Sequence, residues 1–291
     1  MPAPQALLPT GAHPKPSSPA PSVQFARQLN FTHLYHYQDF DLNSSDDHAG
    51  RLLDILQNHR IYCSSPANFN DPWDCKPFFD PALLDDPDAR RASAEALIST
   101  RTGGPELDHI DDRLRRDPDF LRFLFPKFSA NLSEFITTRW GVYCLTPEPG
   151  STLMWSHYAR NHKGICIEFS ARANKFAMAT QILYQKEYPQ FLLHDPNSTN
   201  VMLIVKSDEW AYEKEFRLIC PRFTDVRAAP LIMEGNYLMI GPDDLISIIL
   251  GCQIEDKSAK AIEEMVSAHA PKVKIRRAVR APNKYRLVVQ D

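Results

Sequence analysis

Trp210-Ala-Tyr-Glu-Lys-Glu-Phe-Arg-Leu-Ile-Cys220 is the stretch whose reading decides the fold. It predicts a strand, because successive side chains on a strand point to opposite faces and apolar and charged residues alternate here. Phe216, Leu218 and Cys220 share one face, while Glu213, Glu215 and Arg217 share the other. Such a strand fits either a cleft wall or a solvated sheet face with an internal ion pair. Four polar–aromatic stretches favour the cleft: Leu34-Tyr-His-Tyr37, Tyr62-Cys-Ser-Ser65, Phe69-Asn-Asp-Pro72 and Met154-Trp-Ser-His-Tyr158.

Working outward, residues 1 to about 28 are rich in Pro, Ala and Ser and read as a disordered tail. Residues 29–291 read as one domain. Phe31 to Phe40 predicts a strand, and Ser44-Ser-Asp-Asp47 caps a helix running to about His59. Arg60 to Ser64 is the next strand, and Ser65 to Pro72 is too rich in turn formers to continue it. From about residue 81 to 139 the pattern is helical and polar, with helices over Asp88–Thr100, near Leu107–Arg116 and over Asp119–Thr138. This block reads as a helical insert or lid with a mixed-charge surface.

Strands follow at Gly141–Thr146, Ile165–Phe169, Gln181–Tyr184, Leu231–Ile240 and Leu245–Leu250. A short helix carries Met154, Trp155 and Tyr158, and Asp256–His269 forms another. Val201–Lys206 fits either a helix or a strand. Strands and helices mix without a β-α-β rhythm, so the expected class is α+β, with mixed, mostly antiparallel sheets and a helical insert.

The 291 residues are 43% hydrophobic and 24% charged, which fits a packed core rather than disorder. A net charge of -3 argues against a chain-wide basic surface for nucleic acid. The six cysteines are scattered with no C-x-x-C pair, so a reducing compartment is expected and a zinc site is not. No apolar run is long enough to span a bilayer, and prolines interrupt the N-terminus, so a cytoplasmic protein is expected. Secretion by a route without a cleaved signal stays open. Phosphate loops, H-E-x-x-H and the G-x-S-x-G elbow are absent from the sequence.

Several polar residues are candidates for chemistry. His36 faces away from Tyr35 and Tyr37, and its two ring nitrogens can serve different partners. Tyr62 and Ser64 share a strand face, and a cleft-facing tyrosine can stack on a flat heterocycle. Asn70 and Asp71 form a turn signature that becomes functional if the loop folds over the cleft. Trp155, His157 and Tyr158 lie on one helix, either as a packing stripe or as ligand contacts. Glu168, in an apolar strand, needs a partner if buried. The basic run Lys272, Lys274, Arg276, Arg277, Arg280, Lys284 and Arg286 can meet phosphates or keep a sheet edge soluble.

In order along the chain, the quoted motifs with Ser-Ser-Pro-Ala-Asn-Phe-Asn-Asp-Pro and His-Lys-Gly-Ile resemble a bacterial domain-of-unknown-function family, number twenty-nine seventy-one. The resemblance runs over roughly residues 34–251, in particular to family proteins associated with abortive infection and phage defence. A second resemblance is to ADP-ribosyltransferases, whose split α+β sheets hold NAD without a glycine-rich loop. It implies that His36 holds the nicotinamide ribose region, Tyr62 stacks on the nicotinamide, and Glu215 of Glu213-Lys-Glu215 supports the cationic transition state. Arg217 would keep Glu215 ionised or clamp a phosphate of the dinucleotide. The long insert and the Trp-Ser-His-Tyr helix depart from that pattern.

The leading expectation is an NAD-consuming enzyme of ADP-ribosyltransferase type, with NAD as substrate, no metal and no membrane. It would act on a protein or nucleic-acid target or simply hydrolyse NAD, and its role would be that of a toxin or phage-defence effector. The rival is a non-catalytic module binding a ligand or protein as a defence sensor. A third reading is a metal-independent hydrolase using His157 with Asp71 or Glu168.

Overall fold

The computed structural model describes residues 23–76, 78–100, 108–172, 174–192, 198–222 and 231–291. The larger sheet has five strands in the order β1 (His33–Gln38), β4 (Ile165–Ser170), β10 (Leu245–Leu250), β11 (Lys274–Arg280) and β12 (Leu287–Gln290). Its pairs are antiparallel except β10–β11. Parallel neighbours need a long crossover, and the segment between those two strands contains α7 (Asp256–His269). A second, antiparallel sheet runs β3 (Trp140–Leu145), β8 (Phe216–Pro221), β5 (Thr180–Gln181). Two smaller pairs are β2 (Arg60–Tyr62) with β9 (Tyr237–Met239), antiparallel, and β6 (Leu183–Gln185) with β7 (Val205–Ser207), parallel. The class is α+β.

The core follows from strand alternation. Ile165, Ile167 and Phe169 of β4 are fully buried and belong to one cluster with Leu34, Ile248, Ile262 and two leucines of α1 (His48–Leu56), Leu52 and Leu56. On the other face Cys166 joins Tyr37, Trp155 and Ala159. Each such aliphatic or aromatic side chain contributes about 1.5–3 kcal/mol when fully buried. Glu168 is also buried, and it is fully served: Tyr35 and Ser247 hydroxyls donate to it, and Arg276 lies 3.6 Å away.

The expected insert is present as α2 (Pro87–Thr100), α3 (Asp108–Arg116) and α4 (Phe120–Arg139). It carries a small core of its own, in which Leu84, Leu97, Leu114, Leu121 and Phe125 are buried. The expected tail lies outside the described residues up to residue 22. Its last residues are pinned: Phe25 bridges Thr180, and Ala26 is fully buried with its N–H on Ala179 O.

The deciding stretch departs from expectation. Asp208–Glu213 is a 3-10 turn capped by Ser207, whose hydroxyl accepts from Glu209 N–H. Lys214 ends it in the left-handed region at φ 47°, and the strand begins only at Phe216. Glu213 therefore reaches the Glu215–Arg217 face from a turn rather than from the strand. The ambiguous 201–206 run is both things: α6 (Ser198–Ile204) followed by β7. Within Leu231–Ile240 the strand is confined to Tyr237–Met239.

Gly164 follows the left-handed run Arg160, Asn161 and His162, at φ 49°, 52° and 70°. A Cβ there would stand 2.4 Å from Gln38 O and 3.0 Å from the Ala159 backbone. Neither neighbour is a flexible side-chain tip. Gly164→Ala should therefore cost about 2 kcal/mol or more, in the range of core overpacking, read as a lower urea midpoint with an unchanged m-value.

Candidate functional site

Arg217 is fully buried on β8 and stands at the centre of an ionic cluster. Its guanidinium bonds Glu215 through Nε (2.7 Å) and Nη2 (2.9 Å), and Asp74 through Nη1 (2.9 Å) and Nη2 (2.6 Å). Nη1 also reaches Leu203 O at 3.0 Å. All five N–H groups of an arginine are thus used. Lys206, buried beside it, lies 2.6 Å from Glu213, 3.1 Å from Glu215 and 3.5 Å from Asp74. The Tyr158 hydroxyl donates to Glu213 at 2.5 Å, and the Tyr184 hydroxyl accepts from Glu215 N–H at 2.7 Å.

Electrostatics follow the geometry. Burial opposes ionisation of Glu215, but Arg217 and Lys206 outweigh it and bring the carboxyl down to about 2. Burial lowers the tendency of Lys206 to stay charged, yet Glu215, Glu213 and Asp74 more than compensate and hold its proton tightly. Glu213 is pushed up by burial and by its neighbour Glu215, against Lys206 and Tyr158. Two cations among three carboxylates form a self-satisfied knot. Glu215 has both oxygens occupied and is 3% exposed, so it does not present a free carboxylate.

Beside this knot lies a hollow of about 450 Å³. Asp74 and Lys206 form part of its wall, with Trp73, Tyr188 and Trp210 as aromatic sides and Asp71 among its carboxylates. Trp73 is 65% exposed. Asp71 is buried, its Oδ1 accepts from Trp73 N–H at 2.9 Å, and no cation pairs with it among the described residues. Tyr188 donates to Trp73 O at 2.9 Å, and burial with the nearby Asp71 charge pushes its hydroxyl up to about 12.

His36 sits elsewhere. Tyr35 and Thr146 exchange two backbone hydrogen bonds between β1 and β3, and Ser64 and Val142 exchange two more further along β3. Between those bridges the Cys144 carbonyl accepts from His36 Nδ1 at 2.8 Å. A carbonyl cannot donate, so Nδ1 carries the proton and Nε2 of the neutral ring is an acceptor. Burial holds that ring neutral, with its pKa brought down to about 4 against the Cys144 hydrogen bond. The imidazole stacks on Tyr143 at 4.2 Å.

His36, Tyr62 and Ser64 therefore line one hollow, as the shared strand faces imply, together with Phe69 and Arg51. It measures about 130 Å³, well under the roughly 300–1,000 Å³ of ordinary ligand pockets. Glu215 is not among its lining residues. The two expected partners lie around the same residue: His36 bonds the Cys144 carbonyl, while burial and the Glu215 charge push the Cys144 thiol up.

The remaining candidates separate. Asn70 and Asp71 line the larger hollow. Trp155 is fully buried and its indole N–H donates to Pro149 O at 2.8 Å, so it is a packing residue. The His157 ring faces Trp210, Tyr212 and Tyr158 at 6.2–6.5 Å. Among the described residues no hydrogen bond joins it to Asp71 or Glu168, as the hydrolase reading requires. No group of three or more His, Cys, Asp or Glu side chains among the described residues has the placement to hold a metal ion, and no described helix is long and apolar enough to cross a membrane.

Residues 154–218 match the family model described as a protein of unknown function, DUF2971. The chain carries a DUF2971 region. No match appears among curated proteins or among solved structures. The DUF2971 region supplies Tyr158, Tyr184, Lys206, Glu213, Glu215 and Arg217 of the knot, and Asp74 arrives from outside it. It also supplies Tyr188 and Trp210 of the hollow.

Sequence reasoning missed Asp74, Lys206 and the two tryptophans. Lys206 ends the apolar run Val201-Met-Leu-Ile-Val205, and a cation placed there signals a buried partner. Asp74 gives no such signal, because its partner is 143 residues away.

Removing one member of a buried ion pair leaves the other charge uncompensated, at a cost of about 3–5 kcal/mol. Arg217→Met should lose stability in that range, measured by chemical denaturation. The pH dependence has a defined sign. Glu215 is depressed in the folded state, so its contribution is present above the ordinary carboxylate pKa and is lost as pH falls from about 4.5 towards about 2. Glu215→Gln should flatten the stability curve across that window.

Proposed function

We propose that the protein is a ligand-binding module whose site is the hollow between the Asn70–Asp74 loop and the Val205–Trp210 segment, and that its ligand is a small organic cation. The observation that carries this reading is Asp71. A buried carboxylate without a cationic partner is costly, and this one lies in a hollow walled by Trp73, Tyr188 and Trp210. The Trp210 ring already faces Lys206 Nζ at 5.1 Å, which leaves the solvent-exposed Trp73 face for a ligand. Aromatic faces attract cations, at roughly 2 kcal/mol or more when desolvated. At about 450 Å³ the space is in the range of ligand pockets. The ionic knot forms part of the wall and holds the surrounding elements rigid, each of its three carboxylates paired with Lys206 or Arg217. In the phage-defence setting that the resemblance implies, such a module acts as a sensor.

The NAD-cleaving reading is less well supported. In its favour, His36, Tyr62 and Ser64 converge on one hollow, and His36 Nε2 is an acceptor there. Against it, Glu215 would have to leave Arg217 and Lys206 before meeting a ribose hydroxyl.

Tryptophan fluorescence tests the leading proposal, since Trp73 and Trp210 both border the hollow. Choline, spermidine and 1-methylnicotinamide are the cationic probes; ADP-ribose and acetate are the anionic controls. At least one cationic probe should quench saturably and raise Tm, and Asp71→Asn should weaken it about tenfold or more while keeping the turn, because the amide oxygen still accepts from Trp73 N–H. Quenching by ADP-ribose alone, or equal affinity in Asp71→Asn, overturns it. Incubation with NAD separates the enzymatic reading: nicotinamide release that is abolished in both Glu215→Gln and His36→Ala would replace a binding module with a catalyst.

A further inference from the structure

The basic residues near the C-terminus do not share one fate. Arg276 is neutralised by Asp291, at 2.7 Å, and lies 3.6 Å from Glu168. Arg280, Lys284 and Arg286 instead border a hollow of about 540 Å³, and none of them makes an ion pair among the described residues. No carboxylate is among the residues that line it. In a chain of net charge -3 this is a local concentration of uncompensated positive charge.

The walls are held by hydrogen bonds to backbone carbonyls. On one side the loop joining β11 to β12 and the first residue of β12 are docked onto the start of α5 (Thr152–Tyr158) and the residues before it: Leu287 N–H donates to Gly150 O at 3.1 Å, and the Thr152 hydroxyl donates to Tyr285 O at 3.3 Å. Gly150 permits the approach, since a Cβ there would stand 2.4 Å from Leu287 O. On the other side Gln253 N–H donates to His162 O at 3.0 Å, holding the left-handed Arg160–His162 run against the loop after β10. Tyr285 is fully exposed, with its ring uncovered at the rim.

We propose that this hollow binds a nucleotide, its phosphates on Arg280, Lys284 and Arg286 and its base stacked on Tyr285. Guanidinium and ammonium groups free of carboxylates are the donors that phosphate oxygens need. An uncovered tyrosine ring is the platform on which bases stack without regard to sequence. The volume is in the range of small-ligand sites, and the site is separate from the aromatic, carboxylate-bearing hollow proposed for the cation.

Isothermal titration calorimetry of the full chain with ATP, adenosine, pyrophosphate and a ten-residue oligothymidylate tests this. ATP should bind; adenosine should bind at least about tenfold more weakly for want of phosphate contacts. Arg280→Gln/Arg286→Gln should weaken ATP about tenfold or more, and Tyr285→Ala at least about fivefold through lost stacking. All three positions are exposed, so Tm should hold, and Lys284→Glu serves as a second variant should the double one unfold. Absence of ATP binding, or undiminished binding in the arginine variants and in Lys284→Glu, overturns the site. Pyrophosphate binding as tightly as ATP, with Tyr285→Ala silent, overturns the nucleoside part. Oligothymidylate binding far more tightly than ATP overturns the nucleotide in favour of a nucleic-acid strand.

Discussion

The fold around the candidate site depends on one guanidinium with nowhere else to go. Arg217 projects from the middle strand of the three-stranded sheet, and all its donors are taken by Asp74, Glu215 and Leu203 O. Those acceptors come from three places: the loop after residue 69, the segment leading into β8, and α6. Lys206 and Tyr158 extend the same network through Glu213 to β7 and α5. A buried charge is tolerated only when paired and hydrogen-bonded, so each of these segments is held in position by the need to satisfy it. Ion pairs of this kind contribute little net stability against an apolar replacement. What they impose is geometry, and here the geometry forms part of a wall of the hollow bordered by Trp73, Tyr188 and Trp210.

That arrangement also explains why the most conspicuous charges are not the most available ones. Glu213, Glu215 and Arg217 stand out in the sequence as a charged line, and each is buried against an opposite charge. Asp71, which reads as an ordinary turn residue, is a buried carboxylate that no cation pairs with among the described residues. His36 is likewise committed, its Nδ1 proton closing a gap in the hydrogen bonding of β3 between the Tyr35 and Ser64 bridges. A polar side chain in a deep position can serve the backbone as readily as a ligand.

Much of the fold was legible in the chain. Apolar alternation placed β1, β3, β4 and β10, the insert helices fell within a residue or two of their observed limits, and Tyr62 and Ser64 share a hollow as their spacing implies. The stretch from Trp210 to Cys220 matches its alternation only in its second half. Phe216, Leu218 and Cys220 do face the core together, but the strand does not extend back to Trp210, because Ser207 caps a turn and Lys214 takes a left-handed conformation. Alternation of charge does not distinguish a strand from a turn followed by a strand. The site was less legible for a different reason: Asp74 and Arg217 meet across 143 positions, and a single sequence carries no trace of such a pairing. The stretch matched by the DUF2971 model, residues 154–218, holds most of the knot and carries no activity with it.

A crystal structure of the protein soaked with 1-methylnicotinamide bears most directly on the account. Density for the cation is expected in the hollow bordered by Trp73, Trp210 and Asp71, with Arg217 still bonded to Asp74 and Glu215. Density beside His36 and Tyr62, with Glu215 released from Arg217 and turned towards the ligand, would contradict it.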